Sequence, residues 1–338
     1  MYIENKVINK YISFWLISIF IIVSLMIIVG GLTRLTDSGL SITEWELFTG
    51  ILPPFNTKQW NMYFDLYKQI PEYKLQNYLM TLSEFKIIFW WEFIHRFLGR
   101  LIGMFFLFPL IFFTFKLGFK KTINFHVIFL LICLQGFIGW YMVSSGLVNR
   151  VDVSHYRLAL HLVVAFIILS LVFWNYLKYS HIITPAKKTN NFFIICFIIL
   201  LYIQLTIGAF VSGMDAGKIY NSWPFMGTGY FPDDNKIINL FTLSAFNEPS
   251  LVQFIHRNLA YIILILYLYI FFKFYNLKLL KYFKILKIIG ILLIIQILLG
   301  ISTLLSGAQM FVSSMHQISS IFLISSSIYL LYLNTKTS

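Results

Sequence analysis

Long apolar runs separated by polar segments dominate this sequence. Residues 13–32, 87–113, 124–144, 157–177, 191–212, 253–272, 288–305 and 312–333 are each close to the ~20 residues that an α-helix needs to cross a bilayer. Inside hydrocarbon each backbone amide must be paired within its own segment, so these runs predict eight transmembrane helices and an all-α polytopic membrane protein. Two polar stretches, roughly 33–86 and 213–252, are longer than the other connections. They carry Trp45, Trp60, Tyr63, Tyr67, Tyr73 and Tyr78, then Tyr220, Trp223 and Tyr230, expected as an interfacial belt at headgroup level rather than a ligand box. Pro53-Pro54 and Trp223-Pro224 mark turns there, and a lid-like layer over the helix ends is the expected result.

Composition agrees with this pattern. Only 12% of residues are charged and the mean hydropathy is +0.80, whereas a soluble domain carries about a quarter charged residues. A net charge of +13 would suit a nucleic-acid partner if it were clustered, but it alternates between loops. With a cytoplasmic N-terminus, the inner segments hold 14 basic residues (Lys6, Lys10, Lys116, Lys120, Lys121, Lys178, Lys187, Lys188, Lys273, Lys278, Lys281, Lys284, Lys287 and Lys336) and one acid, Glu4. The outer segments hold nine basic residues and 11 of the 13 acids. The positive-inside rule therefore predicts cytoplasmic N- and C-termini. The partner implied is the lipid bilayer, with no nucleic acid.

Met1 to Lys10 is short and, with Glu4, too acidic for an Arg-rich transit peptide, and no small-residue cleavage site follows the first run, so that helix is expected to be retained. Cys133 and Cys196 both fall mid-helix, which leaves no loop disulfide and no CxxC metal site.

One block is written twice. Trp91-Glu92-Phe93-Ile94-His95-Arg96-Phe97-Leu98 recurs 161 residues later as Val252-Gln253-Phe254-Ile255-His256-Arg257-Asn258-Leu259, and Gln135, Gly139 and Gly146 line up with Gln296, Gly300 and Gly307 at the same offset. Eight helices thus read as two pseudo-symmetric four-helix bundles, residues 1–180 and 181–338, joined by a linker at Lys178 to Asn190. Four helices is an even number, so both copies enter the membrane in the same direction, as a parallel tandem repeat. The first helix of each set ends alike, in Gly31 to Gly39 and in Gly208 to Gly217. The copies differ where Glu92 is replaced by Gln253, which cannot take a proton.

Depth sorts the seven histidines. His126 sits at the inner surface, His155 in a short outer loop and His181 in the linker, all solvated or interfacial. His95, His161, His256 and His316 fall inside helices two, four, six and eight, within about three turns of the outer end at ~1.5 Å per residue. Pairing His95 with His161 and His256 with His316 gives two imidazoles across each bundle, the arrangement that clamps a haem iron between helices. Zinc would gather three or four ligands, often with Cys or carboxylate. A single such His is most simply a hydrogen-bonded core residue, but four on equivalent helices favour haem, because intramembrane ionisable groups are functional by default. Arg96 and Arg257 are cofactor-binding candidates, since haem propionates need cationic partners. Arg100 is equally well explained by snorkelling. Gly99 and Gly103 form a GxxxG, and Gly136, Gly139, Gly300 and Gly307 allow a neighbouring backbone or a flat macrocycle to approach closely.

With these residues in view, the chain resembles the haem A synthases of mitochondria and their bacterial relatives. The resemblance covers nearly its whole length. It rests on Gly30-Gly31-Leu32-Thr33-Arg34-Leu35-Thr36, Ser38-Gly39-Leu40-Ser41-Ile42, Glu44-Trp45, Glu92-Phe93-Ile94-His95-Arg96, Asp215-Ala216-Gly217, Tyr220-Asn221 and Trp223-Pro224, with His161, His256 and His316. That family oxidises a ring methyl of haem O to the formyl group of haem A for cytochrome oxidase and keeps a permanent haem b. The resemblance implies an oxidoreductase of the cell inner membrane with its haem sites near the periplasmic side. His256 and His316 would ligate haem b, and His95 and His161 the substrate haem. Glu92, one turn outward from His95 on the same face, would be the base in a route of electron withdrawal followed by attack of water; oxygenation after release of one histidine stays open as a second route. Implied partners are haem O, a haem O synthase, oxidase assembly factors and a second copy in a homo-oligomer. Some family members carry an outer-loop cysteine pair that this chain lacks. The rival reading is a membrane cytochrome b that carries electrons without modifying haem.

Overall fold

The computed structural model describes residues 2–45, 49–180 and 188–335. Among them are ten α-helices: α1 (Tyr2–Leu35), α2 (Thr57–Tyr67), α3 (Pro71–Leu75), α4 (Leu82–Leu117), α5 (Phe119–Asn149), α6 (His155–Tyr179), α7 (Phe192–Gly213), α8 (Pro249–Asn276), α9 (Phe283–Leu305) and α10 (Met310–Thr335). Short 3-10 turns join several of them, and the described residues contain one isolated β-bridge and no strand. All but α2 and α3 are long and apolar enough to cross a membrane, giving the eight expected spans. His181, Lys187 and Lys336 lie outside the described residues.

Most spans extend beyond their apolar runs at one or both ends. At α4 the reason is visible: Thr81 and Glu84 form a reciprocal capping box, with Thr81 N donating to Glu84 Oε2 at 2.8 Å, so the helix starts several residues before its first apolar turn. Its 36 residues span about 54 Å at 1.5 Å per residue, well beyond a hydrocarbon core of about 30 Å.

Contacts group the chain into two compact units, residues 18–168 and residues 1–17 with 169–338. In the first, α4 packs along α5, while α2 lies against α4 and α3 against α5. The first long loop therefore carries two helices of its own. Asn56 caps α2 by accepting from Gln59 N at 2.9 Å, and Pro71 sits at the start of α3, where its missing N–H costs nothing. Trp60, Phe64 and Tyr67 of α2 bury themselves with Phe85, Phe89 and Phe93 of α4. Phe64 stacks on Phe85 at 5.0 Å and Trp60 meets Phe89 edge-on at 4.9 Å, geometries that favour aromatic pairs. The loop aromatics thus divide: Trp45 and Tyr78 are exposed, as an interfacial belt requires, whereas Trp60 and Tyr67 form a core.

In the second unit α7 packs on α8, α9 on α10, and α10 also on α7. Ser314, Ser319, Ser320 and Ser327 of α10 are buried, and small residues of this kind let helices approach closely. At the far end of α10, buried Asn334 accepts from Thr189 N at 3.0 Å and donates to Thr189 O at 2.7 Å. Tyr332 donates to Leu177 O at 2.9 Å. The second long loop stays irregular, with Pro224 in a bend as expected.

One buried acid lies in the α2–α3 cap. Glu72 is 3% exposed; its Oε1 accepts from Tyr67 Oη at 3.2 Å and faces Asn77 Nδ2 at 3.5 Å, while Oε2 has no partner. Burial raises its pKa to about 8, and burial together with Glu72 also raises that of the Tyr67 hydroxyl. Between 4.5 and about 8 the folded cap therefore holds a proton that the unfolded segment releases, and the stability this contributes falls as pH rises through that window. Hydrogen exchange of residues 57–77 should show the cap loosening from pH 5 to pH 8.5, and a Glu72→Gln variant should remove that dependence.

Candidate functional site

The repeated block places its residues on two helices, α4 and α8, each beside a different neighbour. In the first unit the imidazoles of His95 (α4) and His161 (α6) face each other with ring centroids 6.3 Å apart and planes at 57°. In the second, His256 (α8) and His316 (α10) do the same at 6.4 Å and 76°. A metal–imidazole bond is about 2.0–2.1 Å and the ring centroid lies about 1.1 Å behind the bonding nitrogen. Two imidazoles on opposite sides of one metal ion thus stand about 6.3 Å apart, which both pairs match.

Each ring is seated against a glycine of the adjacent helix. A Cβ at Gly30, Gly139, Gly208 or Gly300 would meet Cε1 of His95, His161, His256 or His316 at 2.8, 3.0, 3.1 and 3.0 Å respectively. At Gly30 a Cβ would force the ring to shift, and at the other three it would press tightly against it. Nδ1 is buried without a hydrogen-bond partner in all four rings, so none is a satisfied core histidine. In His256 and His316 the other nitrogen, Nε2, lies 3.3 and 3.5 Å from a glutamine amide, and two imidazoles per pair are a donor set that suits a haem iron. Among the described residues no three His, Cys, Asp or Glu gather as a metal cluster.

Glu92 is buried, and its carboxylate is fully engaged. Oε2 accepts from Ser41 Oγ at 2.7 Å and from Ile42 N at 2.8 Å; Oε1 pairs with Arg96 Nη2 at 2.6 Å and Nε at 3.1 Å. Arg96 also donates to Ile42 O at 2.7 Å and Glu44 O at 3.0 Å, and its guanidinium lies 5.4 Å from the Trp45 ring. The pair therefore fastens the loop after α1 onto α4, one turn from His95. The second unit repeats this with a neutral partner. Gln253 donates to Ala216 O at 2.9 Å and accepts from Arg257 Nη2 at 3.0 Å, and Arg257 holds Tyr220 O and Ser222 O at 3.0 Å each. Arg96 thus divides its donors between Glu92 and two loop carbonyls, whereas Arg257 spends most of its on loop carbonyls and keeps a buried Nε without a partner.

The remaining sequence candidates are dispersed. His126 bonds Thr114 Oγ1 at 3.0 Å and His155 stacks on Tyr156. Gly103 and Gly136 face open space, and Gly307 caps α9 at positive φ. Sequence reasoning missed three things: Ser41 and the Ile42 amide as partners of Glu92, Gly30 and Gly208 as ring seats, and Gln204, whose Nε2 lies 3.3 Å from His256 Nε2. A glycine four residues after a glutamine, present in α5, α7 and α9, is the signal that could have found the last.

Fold and site define a polytopic all-α membrane protein with opposed pairs of intramembrane imidazoles, the arrangement of membrane haem proteins. The chain belongs to the COX15-CtaA family of cytochrome oxidase assembly proteins, whose pattern matches residues 13–328. It is 53% identical over 268 residues to the "Heme A synthase" of Pelagibacter ubique, covering 78% of this chain and 79% of that one. It is 47% identical over 260 residues to the protein of the same name from Rickettsia bellii, covering 75% and 77%. With that of Parvibaculum lavamentivorans it shares 44% over 261 residues, 75% of each chain.

The ring seats yield a direct test. Gly300→Val should push the His316 ring off its axis and lower the haem bound at the second pair several-fold, read by the Soret absorbance per chain; Gly103→Val, at a site with open space, should leave it unchanged.

Proposed function

We propose that this chain converts haem O to haem A, oxidising one ring methyl to a formyl group for cytochrome oxidase assembly. Family membership and relatives named for haem A synthesis support the reaction, and the two imidazole pairs, one beside a carboxylate and one beside an amide, support its division of labour. In this reading His95 and His161 hold the substrate haem, and His256 and His316 hold a resident haem b. The two bundles, residues 1–180 and 181–338, are a parallel tandem repeat with both termini cytoplasmic and both haem sites toward the periplasmic side.

When bound, haem b supplies a redox centre through which the four electrons of a methyl-to-formyl oxidation can leave. The chain's own residues do the rest. His95 and His161 fix the plane of the substrate. Glu92, one turn from His95, is the proton acceptor for the reacting methyl or the attacking water. Arg96 keeps that carboxylate oriented and, with Ser41 and the Ile42 amide, holds the loop over the substrate edge so that bulk water is excluded. Arg257 and Gln253 hold the corresponding loop over haem b without an acid, in keeping with a site that does no chemistry. Arg96 and Arg257 bind haem in this reading chiefly through the loops they fasten.

Extraction and chromatography of the pigments bound to the purified protein tests the function: haem O or haem A beside haem b is the expected result, and haem b alone after expression with a haem O synthase would favour an electron-transfer cytochrome. Glu92→Gln should keep both haems and lose haem A formation by at least tenfold, whereas His256→Ala should lose the haem b spectrum while haem O still binds. Full conversion by Glu92→Gln would remove that residue from the mechanism.

A further inference from the structure

Three of the four imidazoles share a second neighbour. One helical turn before the glycine that seats each ring stands a glutamine: Gln135 before Gly139, Gln204 before Gly208 and Gln296 before Gly300. Gln135 and Gln204 donate from Nε2 to the backbone carbonyls of His161 and His256, each at 3.0 Å. Gln204 and Gln296 also bring Nε2 to 3.3 and 3.5 Å from the ring Nε2 of His256 and His316, and Ser319 donates to Gln296 Oε1. These amides tie the peptide or the ring of a ligand histidine to the helix that seats it.

The fourth histidine has no such tie. The position one turn before Gly30 is Met26. A thioether donates no hydrogen bond, and its unbranched chain is among the most adaptable. The facing helix is altered to match: Gly99 stands one turn after His95, where a Cβ would meet Met26 Cε at 3.4 Å, whereas Ala260 stands one turn after His256. Near His95, the α1–α4 hydrogen bond is a long one, Thr33 Oγ1 to Trp91 O at 3.4 Å. The pair His256–His316 is thus held by an amide at the peptide of His256 and, through Ser319, at the peptide of His316, and the pair His95–His161 by an amide at the peptide of His161 alone.

We infer that Met26 is a positioning residue that makes His95 the exchangeable ligand of its pair, so that a haem there is held firmly by His161 and reversibly by His95. This rests on reading the pairs as haem ligands, and it deepens that reading. A substrate must enter and a product leave at every turnover, while a resident cofactor must stay. Drawing the helical turn that carries His161 or His256 away from the metal would stretch the amide hydrogen bond to its peptide. Drawing back the turn that carries His95 stretches no such bond among the described residues.

The test uses the full-length protein loaded with iron protoporphyrin, reduced, and mixed with carbon monoxide, which combines only with iron that has shed a ligand. In a His256→Ala background, where the His95–His161 pair is the one loaded, carbon monoxide should combine readily, and adding Met26→Gln should slow it roughly tenfold, the factor one net hydrogen bond supplies, at unchanged haem content. In a His95→Ala background the His256–His316 haem should be inert, and Gln204→Met should make it reactive. Equal rates with and without Met26→Gln, or an inert Gln204→Met protein, would overturn the assignment of Met26; if Met26→Gln fails to fold, Gln204→Met decides alone. A His256→Ala protein that takes up no haem would overturn the haem-pair reading itself, a result distinct from bound haem with unaltered kinetics.

Discussion

Everything at the two sites depends on the width of a gap. Two imidazoles can share one metal ion only if their centroids stand a little over 6 Å apart, and here they stand 6.3 and 6.4 Å apart. That width is not set by the histidines alone. It is set by four places where a ring edge lies 2.8 to 3.1 Å from where a glycine's Cβ would stand, too close at Gly30 and tight at the other three, which fixes how near each histidine helix lies to the helix that seats it. Backbone approach of this kind is the main source of helix association in lipid, where burying apolar surface gains little. The contact that assembles the helices is therefore also the contact that spaces the ligands.

The loops after α1 and α7 are held to that frame by one recurring device. A side chain one turn before His95 or His256, Glu92 or Gln253, and an arginine one turn after that side chain together bind backbone groups of the loop. The geometry is alike in both units, but the charge differs. A carboxylate that accepts four hydrogen bonds and an amide that splits its capacity between donating and accepting can hold a loop equally well. Only the first can take part in proton transfer.

Much of this was legible in the sequence. The spans follow from apolar runs of near-bilayer length, His95 and His256 from a repeated block whose period could be read directly, and His161 and His316 from their depth in the facing helices. What escaped notice has a physical reason in each case. The α2–α3 cap was hidden because its aromatic residues, Trp60 and Tyr67 among them, have the composition of an interfacial belt, and whether they bury against α4 is decided by tertiary packing. The start of α4 at Leu82 was set by a capping box outside the apolar run. Glu92 was visible as an acid next to a ligand, but its engagement with Ser41 and the Ile42 amide depends on how a loop some fifty residues earlier folds back, and no local pattern encodes that.

The saturated coordination of Glu92 by its neighbours ties chemistry to motion. A carboxylate with no spare lone pair pointing at solvent can receive a proton only by letting go of a hydroxyl, an amide or a guanidinium, and each of those grips is also what keeps the segment from Ser41 to Glu44 in place. If Glu92 does acid-base work, that work is bound to a mechanical event: the segment from Ser41 to Glu44 would slacken in the same instant that the acid is neutralised.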